Sequence, residues 1–440
     1  MKKFDFIILG FGKGGKTLAK VASAKGKKVA VIEQSQEMYG GTCINIGCIP
    51  SKTLVHEGLE HADFAQAINR KQDVVSALNN KNYHLLADDK NITVFDNKGV
   101  FKNNETIDLL DKEGNVVDTL TATHIIINTG ATPVVPEITG VNESKYLYDS
   151  TGIMNLKDKP ERLTIVGGGY IALEFASMFA NFGTKVTVLE TKDKIMPKED
   201  KDVVEQVITD LKDKNINIVL EAETQAFEDQ DGYTIVKTNK GEFESDAVLL
   251  ATGRKPNTDL NLDQTDIEIG EHGEIKVNKH LQTHVEHVYA IGDVKGGPQF
   301  TYISLDDFRI LKEQFFGNGK RSIENRGIVP YTVFIDPPLS RVGLTAEEAK
   351  DQGYSIKEGK LPVNQIPRHK INNDTRGLFK VVIDANTNKI LGATLYGVQS
   401  EEMINIIKLA IDQNIDYTVL RDNIYTHPTM IESFNDLFNI

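Results

Sequence analysis

Residues 6–33 read FIILGFGKGGKTLAKVASAKGKKVAVIE, and residues 163–190 repeat their pattern without a gap as LTIVGGGYIALEFASMFANFGTKVTVLE. Each copy runs from an apolar strand through a glycine-rich turn and a segment of helical period to a second apolar strand that ends in glutamate. This order of elements predicts a βαβ unit. Because it recurs 157 residues later, we expect an α/β chain in which this unit is built twice.

The turns of both copies have small residues at the spacing of a dinucleotide-binding site. These are Gly10, Gly12 and Gly15 in the first copy, and Gly167, Gly169 and Ala172 in the second. Small residues let backbone N–H groups and a helix N-terminus approach a pyrophosphate. Glu33 and Glu190, each 23 residues past the first glycine, stand where a carboxylate accepts hydrogen bonds from ribose hydroxyls. The alternative is a pair of Rossmann turns without a ligand, but the context favours two dinucleotide-binding domains.

Three later strand ends also carry turn or ligand residues. IIINTG ends in Thr129-Gly130, AVLLATG ends in Thr252-Gly253, and VYAIGD ends in Gly292-Asp293. In α/β folds ligands bind at the carboxyl ends of strands, so these residues are binding candidates. From about residue 325 the pattern changes to alternating runs such as YTVFI, which indicates an α+β domain of about 115 residues.

The composition excludes several classes of function. The 440 residues predict about three domains, and the 63 acidic against 50 basic residues give a formal charge of −13. That charge disfavours nucleic acid and anionic membranes as partners. No cleavable signal or apolar run of about 18 residues is recognised, so we expect a soluble cytoplasmic protein.

The two cysteines, Cys43 and Cys48, lie in GGTCINIGCIPSK directly after the first βαβ unit. They are too few for a disulfide framework or a four-cysteine zinc site, and we predict no metal site. In a regular helix, residues five apart have Cα atoms about 8.7 Å apart, whereas a disulfide needs about 4.4–6.8 Å. The loop must therefore be distorted, with Gly47 providing backbone freedom. A helix that begins nearby would lower the thiol pKa values and favour the reactive thiolate; two buried, unreactive cysteines are the alternative.

Together GGTCINIGCIPSK, GGGYIALE, ATGRKPN, AIGD and HPTMIE resemble the class I pyridine nucleotide–disulfide oxidoreductases along the whole chain. The resemblance implies two Rossmann-like domains, for FAD and NAD(P), the second inserted in the first, and a C-terminal α+β dimerisation domain. The expected limits are 1–150 with 256–325 for FAD, 151–255 for NAD(P), and 326–440 for dimerisation.

The same resemblance assigns roles by position. Cys48 would face the flavin, and Cys43 would be the outer thiol that meets the substrate. Lys52 and Glu174 match an ion pair near the flavin, and Tyr170 matches an aromatic gate for the nicotinamide. The implied FAD contacts are Gly10, Gly12, Gly15, Glu33, Gly41, Thr42, Lys52, Thr129, Gly130 and Asp293, and the implied NAD(P)H contacts are Gly167, Gly169, Tyr170, Ala172, Glu190 and Gly253.

His427 lies in HPTMIE and is followed by Glu432. A histidine oriented by a carboxylate is a good acid and base near neutral pH, able to take a proton from Cys43 and return it to a leaving group. The resemblance implies that His427 reaches Cys43 of the partner subunit, so that a homodimer shares its active sites.

The cofactor preference and the substrate are expected as follows. Glu190 would bind a ribose 2′-hydroxyl and repel a 2′-phosphate, which favours NADH, although Lys192 and Lys194 leave NADPH open. The segments MYGGTCINIGCIPSKTLVH, QFTYISLDDFRI, PPLSRVGLT and HPTMIESFNDLF resemble the reactive-chlorine-resistance flavoproteins, which implies oxidative stress defence. The favoured substrate is a small oxidant, hypothiocyanous acid, which would be reduced to thiocyanate. Reduction of lipoamide, another disulfide, or a copper or mercury ion is the alternative, and mercury is disfavoured because NDLFNI carries no cysteine pair.

Overall fold

The computed structural model describes residues 2–440. The first stretch of chain forms most of a sheet and five helices, two of which carry the cysteines. Its elements are β1 (Lys2–Leu9), α1 (Lys13–Ala24), β2 (Val29–Ile32), α2 (Thr42–Asn45), α3 (Cys48–Leu59), α4 (Phe64–Ala87), β3 (Ile92–Phe95), β4 (Lys98–Asn103), β5 (Thr106–Leu110), β6 (Val116–Ile127), β7 (Ala131–Pro133), β8 (Leu147–Tyr148) and α5 (Ser150–Ile153).

The middle of the chain holds the second copy of the repeat and a separate hairpin sheet. Its elements are β9 (Arg162–Val166), α6 (Tyr170–Asn181), β10 (Lys185–Leu189), α7 (Lys201–Asp213), β11 (Ile216–Val219), β12 (Thr224–Asp229), β13 (Thr234–Thr238), β14 (Gly241–Ser245), β15 (Ala247–Leu250), β16 (Arg254–Pro256), β17 (Val288–Ala290) and α8 (Thr301–Phe316).

The last part of the chain is a mixed domain. Its elements are β18 (Tyr331–Val333), β19 (Leu339–Gly343), α9 (Ala346–Asp351), β20 (Ile356–Pro362), α10 (Pro367–Ile371), β21 (Leu378–Asp384), β22 (Ile390–Tyr396), α11 (Ser400–Asp412), α12 (Tyr417–Arg421) and α13 (Phe434–Leu437).

The strand order shows one sheet interrupted by another. The first sheet runs β3-β2-β1-β6-β5-β4, and β17, which comes after the whole second sheet in the chain, pairs in parallel with β6. The second sheet, β11-β10-β9-β15-β8, is parallel throughout. The predicted fold class, two Rossmann-like units with the second inserted in the first, is therefore confirmed. The domain limits stay predictions.

The central strands are apolar because both faces of each parallel sheet are covered. Residues 6–9 and 29–32 are fully buried, with one hydrophobic cluster on each face of the first sheet. In α1, Leu18, Ala19 and Ala22 form the buried stripe that the helical period predicts. The C-terminal sheet, β18-β19-β22-β21-β20, is antiparallel and packs against α11. Within residues 2–440, no helix combines the length and the hydropathy that a membrane span requires.

Candidate active site

The cysteine loop leads directly from the dinucleotide turn. Gly41 has φ +81°, and a Cβ on it would lie 2.7 Å from Gly12 Cα, so the loop backbone presses on the glycine turn at a place where only glycine fits. The short helix α2 carries Cys43 and ends before Gly47, whose φ −125° and ψ −116° break the helical path. A new helix, α3, begins at Cys48. The distortion expected from the spacing is therefore present between the two thiols.

The two thiols differ in their surroundings. Cys43 is half-buried and Cys48 is exposed, and both are free. The S–H of Cys43 donates to Cys48, whose Sγ also lies 3.5 Å from Oγ1 of Thr301 at the start of α8. The hydrogen bond from Cys43, with help from Thr301 and Lys52, lowers the pKa of Cys48 to about 6.

The pKa of Cys43 moves the other way. Its hydrogen bond to Cys48 and its burial raise the pKa of Cys43 above the ordinary thiol value. The expectation that a nearby helix start lowers both pKa values is thus wrong for Cys43, because it holds the shared proton. In the reduced pair the negative charge therefore favours Cys48 and the proton favours Cys43.

Lys52 and Glu174 form an ion pair beside Cys48. Lys52 lies one turn after Cys48 on α3, and its Nζ is 2.5 Å from Oε2 of Glu174 on α6. The other carboxylate oxygen of Glu174 accepts a 2.8 Å hydrogen bond from the backbone N–H of Phe334, whose ring centroid lies 4.8 Å from Lys52 Nζ. Helices α3 and α6 and the backbone directly after β18 therefore fix this charge near Cys48.

The first glycine turn and its acidic partner form a cradle. Glu33 accepts hydrogen bonds from the backbone N–H groups of Phe11, at 3.1 Å, and Ser35, at 3.2 Å, and its burial raises its pKa. Gly10 and Gly12 lie between β1 and α1, and a Cβ on Gly12 would be 2.6 Å from Oδ1 of Asn128. The backbone here has no room for side chains, as the approach of a pyrophosphate requires.

Asn128 is a residue that sequence reasoning missed. Its Oδ1 accepts a 2.9 Å hydrogen bond from the N–H of Gly15, and its Nδ2 donates to the carbonyl of Ile291 at 3.0 Å. It therefore ties the glycine turn to β6 and β17. The available signal was a polar residue at the end of the apolar run IIINTG.

The other implied FAD contacts converge on the same edge. Thr129 Oγ1 donates to the carbonyl of Asn257 at 2.7 Å, and a Cβ on Gly130 would lie 3.9 Å from Oγ1 of Thr42. Burial raises the pKa of Asp293, although Arg254 and Lys295 act against this, and its carboxylate makes no hydrogen bond within residues 2–440. A half-buried acceptor without a protein partner suits a ribityl hydroxyl, so these residues fit FAD.

The second cradle repeats the geometry of the first. Glu190 accepts hydrogen bonds from the N–H groups of Gly168, at 2.8 Å, and Lys192, at 2.9 Å, as Glu33 does from Phe11 and Ser35. Its other implied contacts are placed as follows: Gly167 and Gly169 between β9 and α6, Ala172 buried within α6, and Gly253 after β15 with open space around it. Tyr170 begins α6, is 43% exposed and lies 6.4 Å, ring to ring, from Phe300.

His427 and Glu432 are brought together at the surface of the C-terminal domain. Nδ1 of His427 is 2.7 Å from Oε2 of Glu432, and the N–H of Thr429 holds the other carboxylate oxygen at 3.0 Å. Burial acts to raise the pKa of Glu432, but the hydrogen bonds from His427 and Thr429 hold it below its ordinary value. The side chain of His427 is 72% exposed, and within one chain it makes no hydrogen bond to Cys43 among residues 2–440.

Comparisons with known proteins cover the whole chain. A family model described as "Pyridine nucleotide-disulphide oxidoreductase" matches residues 4–307. A second, described as "Pyridine nucleotide-disulphide oxidoreductase, dimerisation domain", matches residues 329–438.

Individual relatives agree with these matches. The chain is 49% identical over 441 residues to the probable pyridine nucleotide-disulfide oxidoreductase RclA of Escherichia coli (strain K12), with 100% of both chains covered. It is 34% identical to a mercuric reductase of Staphylococcus aureus, covering 98% of this chain and 81% of that one. The solved Cu(II) complex of the HOCl-induced flavoprotein disulfide reductase RclA from Escherichia coli matches with a TM-score of 0.97 and 49% identity, covering 100% of this chain and 99% of that chain.

Proposed function

The chain belongs to the pyridine nucleotide-disulphide oxidoreductases, and from this membership we propose that it is a reductase of a small oxidant, hypothiocyanous acid, which it converts to thiocyanate. The family membership implies FAD and a reduced nicotinamide as its cofactors. The relative RclA is described as HOCl-induced, which supports a role in defence against oxidants derived from hypochlorous acid.

The observation that carries the proposal is the isolation of the cysteine pair. Cys43 and Cys48 are the only cysteines among the 440 residues, and they share a proton beside the dinucleotide turn. No third thiol is present in this sequence to relay electrons from the pair to a bulky disulfide. A diffusible oxidant that reacts at one sulfur needs none.

The first step takes place at Cys43. His427 of the partner subunit takes the proton of the Cys43 thiol, and the thiolate attacks the sulfur of hypothiocyanous acid. A sulfur–sulfur bond forms and the sulfur–oxygen bond breaks. The oxygen leaves as water, with the proton returned by the histidine. Glu432 orients the imidazole for both transfers.

The second step takes place between the two cysteines. Cys48, already a thiolate at neutral pH, attacks the Cys43 sulfur, so that the Cys43–Cys48 disulfide forms and thiocyanate leaves. FAD, when bound, would supply the electron pair, taken from the nicotinamide, that returns this disulfide to the dithiol. Each cycle thus converts one hypothiocyanous acid and one reduced nicotinamide into thiocyanate, water and the oxidised nicotinamide.

The remaining residues hold the cofactors. The first cradle, with Glu33, Asn128 and Asp293, would bind FAD, and the second, with Glu190, would bind the nicotinamide cofactor. Because the Glu190 carboxylate occupies the strand end where a 2′-phosphate would lie, we propose a preference for NADH. A homodimer with shared sites and a cytoplasmic location complete the proposal.

Reduction of Cu(II) is the second candidate, because the matching structure of RclA is a Cu(II) complex. Two Cu(II) ions would each take one electron from the dithiol, giving two Cu(I) ions, the disulfide and a proton from Cys43. The single thiol at Cys43 and the exposed imidazole of His427 are the groups that such an ion would meet.

A panel of substrates tests the proposal. Steady-state rates are measured with NADH and with NADPH against hypothiocyanous acid, Cu(II), oxidised glutathione and lipoamide. We expect kcat/KM for hypothiocyanous acid to exceed that for the two disulfides by about 100-fold or more, and to be higher with NADH. The Cys43→Ser variant, which keeps both cradles, is the control and should be inactive. Equal or faster turnover of lipoamide or glutathione disulfide would refute the assignment.

A further inference from the structure

Lys16 is a buried lysine under the cysteine loop that the steps above do not use. It lies in the first turn of α1, two residues before the buried stripe of that helix, and is only 5% exposed. Its Nζ donates to the carbonyl of Gly40, at 3.4 Å, and to Oδ1 of Asn82 on α4. Gly40 is the third residue before Cys43, so the ammonium lies beneath the short segment that carries the outer thiol.

The charge of Lys16 has no carboxylate partner. The ion pairs found within residues 2–440 do not include Lys16, and both of its acceptors are neutral. The other lysine of the site, Lys52, is neutralised by Glu174 at 2.5 Å. An ammonium held in the interior is costly unless another charge lies near it.

The loop has further hydrogen bonds besides that of Lys16. Nδ2 of Asn45 donates to the carbonyls of Tyr39, at 3.0 Å, and Gly41, at 2.9 Å. Nδ2 of Asn79 donates to the carbonyls of Gln36, at 3.2 Å, and Glu37, at 3.0 Å. Neutral amides thus already hold the backbone on both sides of Gly40.

We propose that the Lys16 ammonium is the buried counter-charge of the Cys43 thiolate, and that it makes Cys43 reactive when Cys48 no longer shares its proton. The inference rests on the proposed function only in taking Cys43 as the thiol that meets the oxidant. Lys16 is a positioning residue in this account, because it touches the loop and acts on the sulfur through its field.

The electrostatics agree with this geometry. Burial and the nearby charge of Lys13 lower the pKa of Lys16 to about 8, while a negative Cys43 acts to raise it. Lys16 is therefore still an ammonium at neutral pH. In return it acts to lower the pKa of Cys43, together with Thr301 and against Cys48 and burial. These are the groups that face the two side chains from α1, α2, α3 and α8.

Alkylation of a single thiol tests the proposal without any oxidant. In a Cys48→Ser background with FAD bound, Cys43 is the only cysteine of the 440 residues, so the pH dependence of its reaction with iodoacetamide reports its ionisation. Adding Lys16→Met should raise the midpoint by about one pH unit and slow alkylation at neutral pH about tenfold. Lys16→Arg, which keeps the charge, should restore the parent profile.

Lys71 provides the matched control. It is also buried, at 3% exposure, and its Nζ also donates to a backbone carbonyl, that of Met154 at 2.9 Å, and to an asparagine Oδ1, that of Asn155 at 2.7 Å. The only cause of its lowered pKa is burial, with no thiol involved. Lys71→Met therefore removes an equivalent lysine, and it should leave the alkylation profile of Cys43 unchanged.

Each result of the alkylation experiment either supports or overturns the proposal. An unchanged midpoint in Lys16→Met, or an equal shift in Lys71→Met, overturns the proposal. If Lys16→Met does not fold with FAD, Lys16→Gln, which keeps a donor for Gly40, decides by the same midpoint. If neither neutral variant folds while Lys16→Arg does, the charge serves folding and the proposal is also overturned. These alkylation results do not depend on whether the enzyme turns over hypothiocyanous acid.

Discussion

At the scale of single residues, the two cysteines differ because they share one proton. Cys48 lies at the start of α3, near Thr301 and Lys52, and these neighbours favour a negative charge on its sulfur. Cys43 is half-buried and keeps the proton until a base removes it. This division suits a pair in which one sulfur waits as a nucleophile and the other meets the substrate.

The first prediction concerns the pH dependence of the pair. Because the pKa of Cys48 is lowered to about 6, the thiolate of the reduced enzyme should appear as the pH rises through 6. About a tenth of the pair should be ionised at pH 5 and about nine tenths at pH 7. The measurement is the ultraviolet absorbance of the thiolate, taken as a difference from Cys48→Ser.

Replacing Cys43, the proton donor, tests the cause of the low pKa of Cys48. Cys43→Ala removes the hydrogen bond that contributes most to the low pKa of Cys48, so the midpoint should rise toward the ordinary thiol range of about 8.5. A midpoint that stays near 6 in Cys43→Ala would show that the shared hydrogen bond does not set the charge of Cys48.

The redox-active cysteine pair can be predicted from the sequence, but the distant residues that contact it cannot. The spacing and the glycines of GGTCINIGCIPSK predicted a redox pair in a distorted loop. The pKa of Cys48 is lowered in part by Thr301, which is 253 positions away in the chain, and the turn of the first cradle depends on Asn128, which is 113 positions from Gly15. Contacts over such separations are set by packing and leave no periodic signal in the chain.

At the scale of elements, the loop between β2 and α3 links cofactor and chemistry. Gly41 touches the backbone of Gly12, so the segment that carries Cys43 cannot move without the dinucleotide turn. The same loop is fastened to α4 by Asn79 and Asn45. The position of the thiols therefore follows from the packing of α1, α2 and α4.

Gly41→Ala is the second prediction. A Cβ there combines a left-handed φ of +81° with a 2.7 Å approach to Gly12 Cα, so the loop must shift, at a cost of about 1–3 kcal/mol or more. We expect weaker retention of FAD and lower activity as well as a lower melting temperature. The measurements are flavin content after dialysis and thermal unfolding.

Gly114→Ala is its control. Gly114 has a similar φ of +86° in the turn between β5 and β6, but nothing lies within 4 Å of an added Cβ. It should lose about 1 kcal/mol of stability and keep its FAD. Equal loss of FAD in both variants would mean that the contact of Gly41 with Gly12 is not what couples the loop to the cofactor.

The repeated unit was the most predictable element. Its strands are continuous apolar runs, and in both copies a glutamate accepts hydrogen bonds from the turn. The sequence does not predict the hairpin sheet β12-β13-β14, because its short strands carry a mixture of polar and apolar residues without a clear period. Local periodicity predicts strands that are buried on both faces better than strands that are half-exposed.

At the scale of the whole molecule, the C-terminal domain has large apolar side chains that are exposed to solvent. Ile424 is 95% exposed, and Leu409 and Val419 on α11 and α12 are also largely exposed. Residues 329–438 match a dimerisation domain, so these side chains are candidates for a contact with a second copy of the chain.

The third prediction is complementation between two inactive variants. Cys43→Ser and His427→Ala each remove one half of the proposed site, so each homodimer should be inactive. After dissociation and mixing in equal amounts, half of the dimers are mixed and one of their two sites is intact, so about a quarter of the sites should recover. Steady-state turnover with verified heterodimers is the measurement, and no recovery there would argue that each site lies within one chain.

The central claim is that the two cysteines alone pass one electron pair to a small oxidant. The most direct measurement adds one equivalent of hypothiocyanous acid to the enzyme in its dithiol state, then counts free thiols, thiocyanate and the linked peptides by mass spectrometry. The account predicts the loss of both thiols in each subunit, a Cys43–Cys48 disulfide and one thiocyanate. Thiols that remain free, or an oxidised Cys43 without the disulfide, would contradict it.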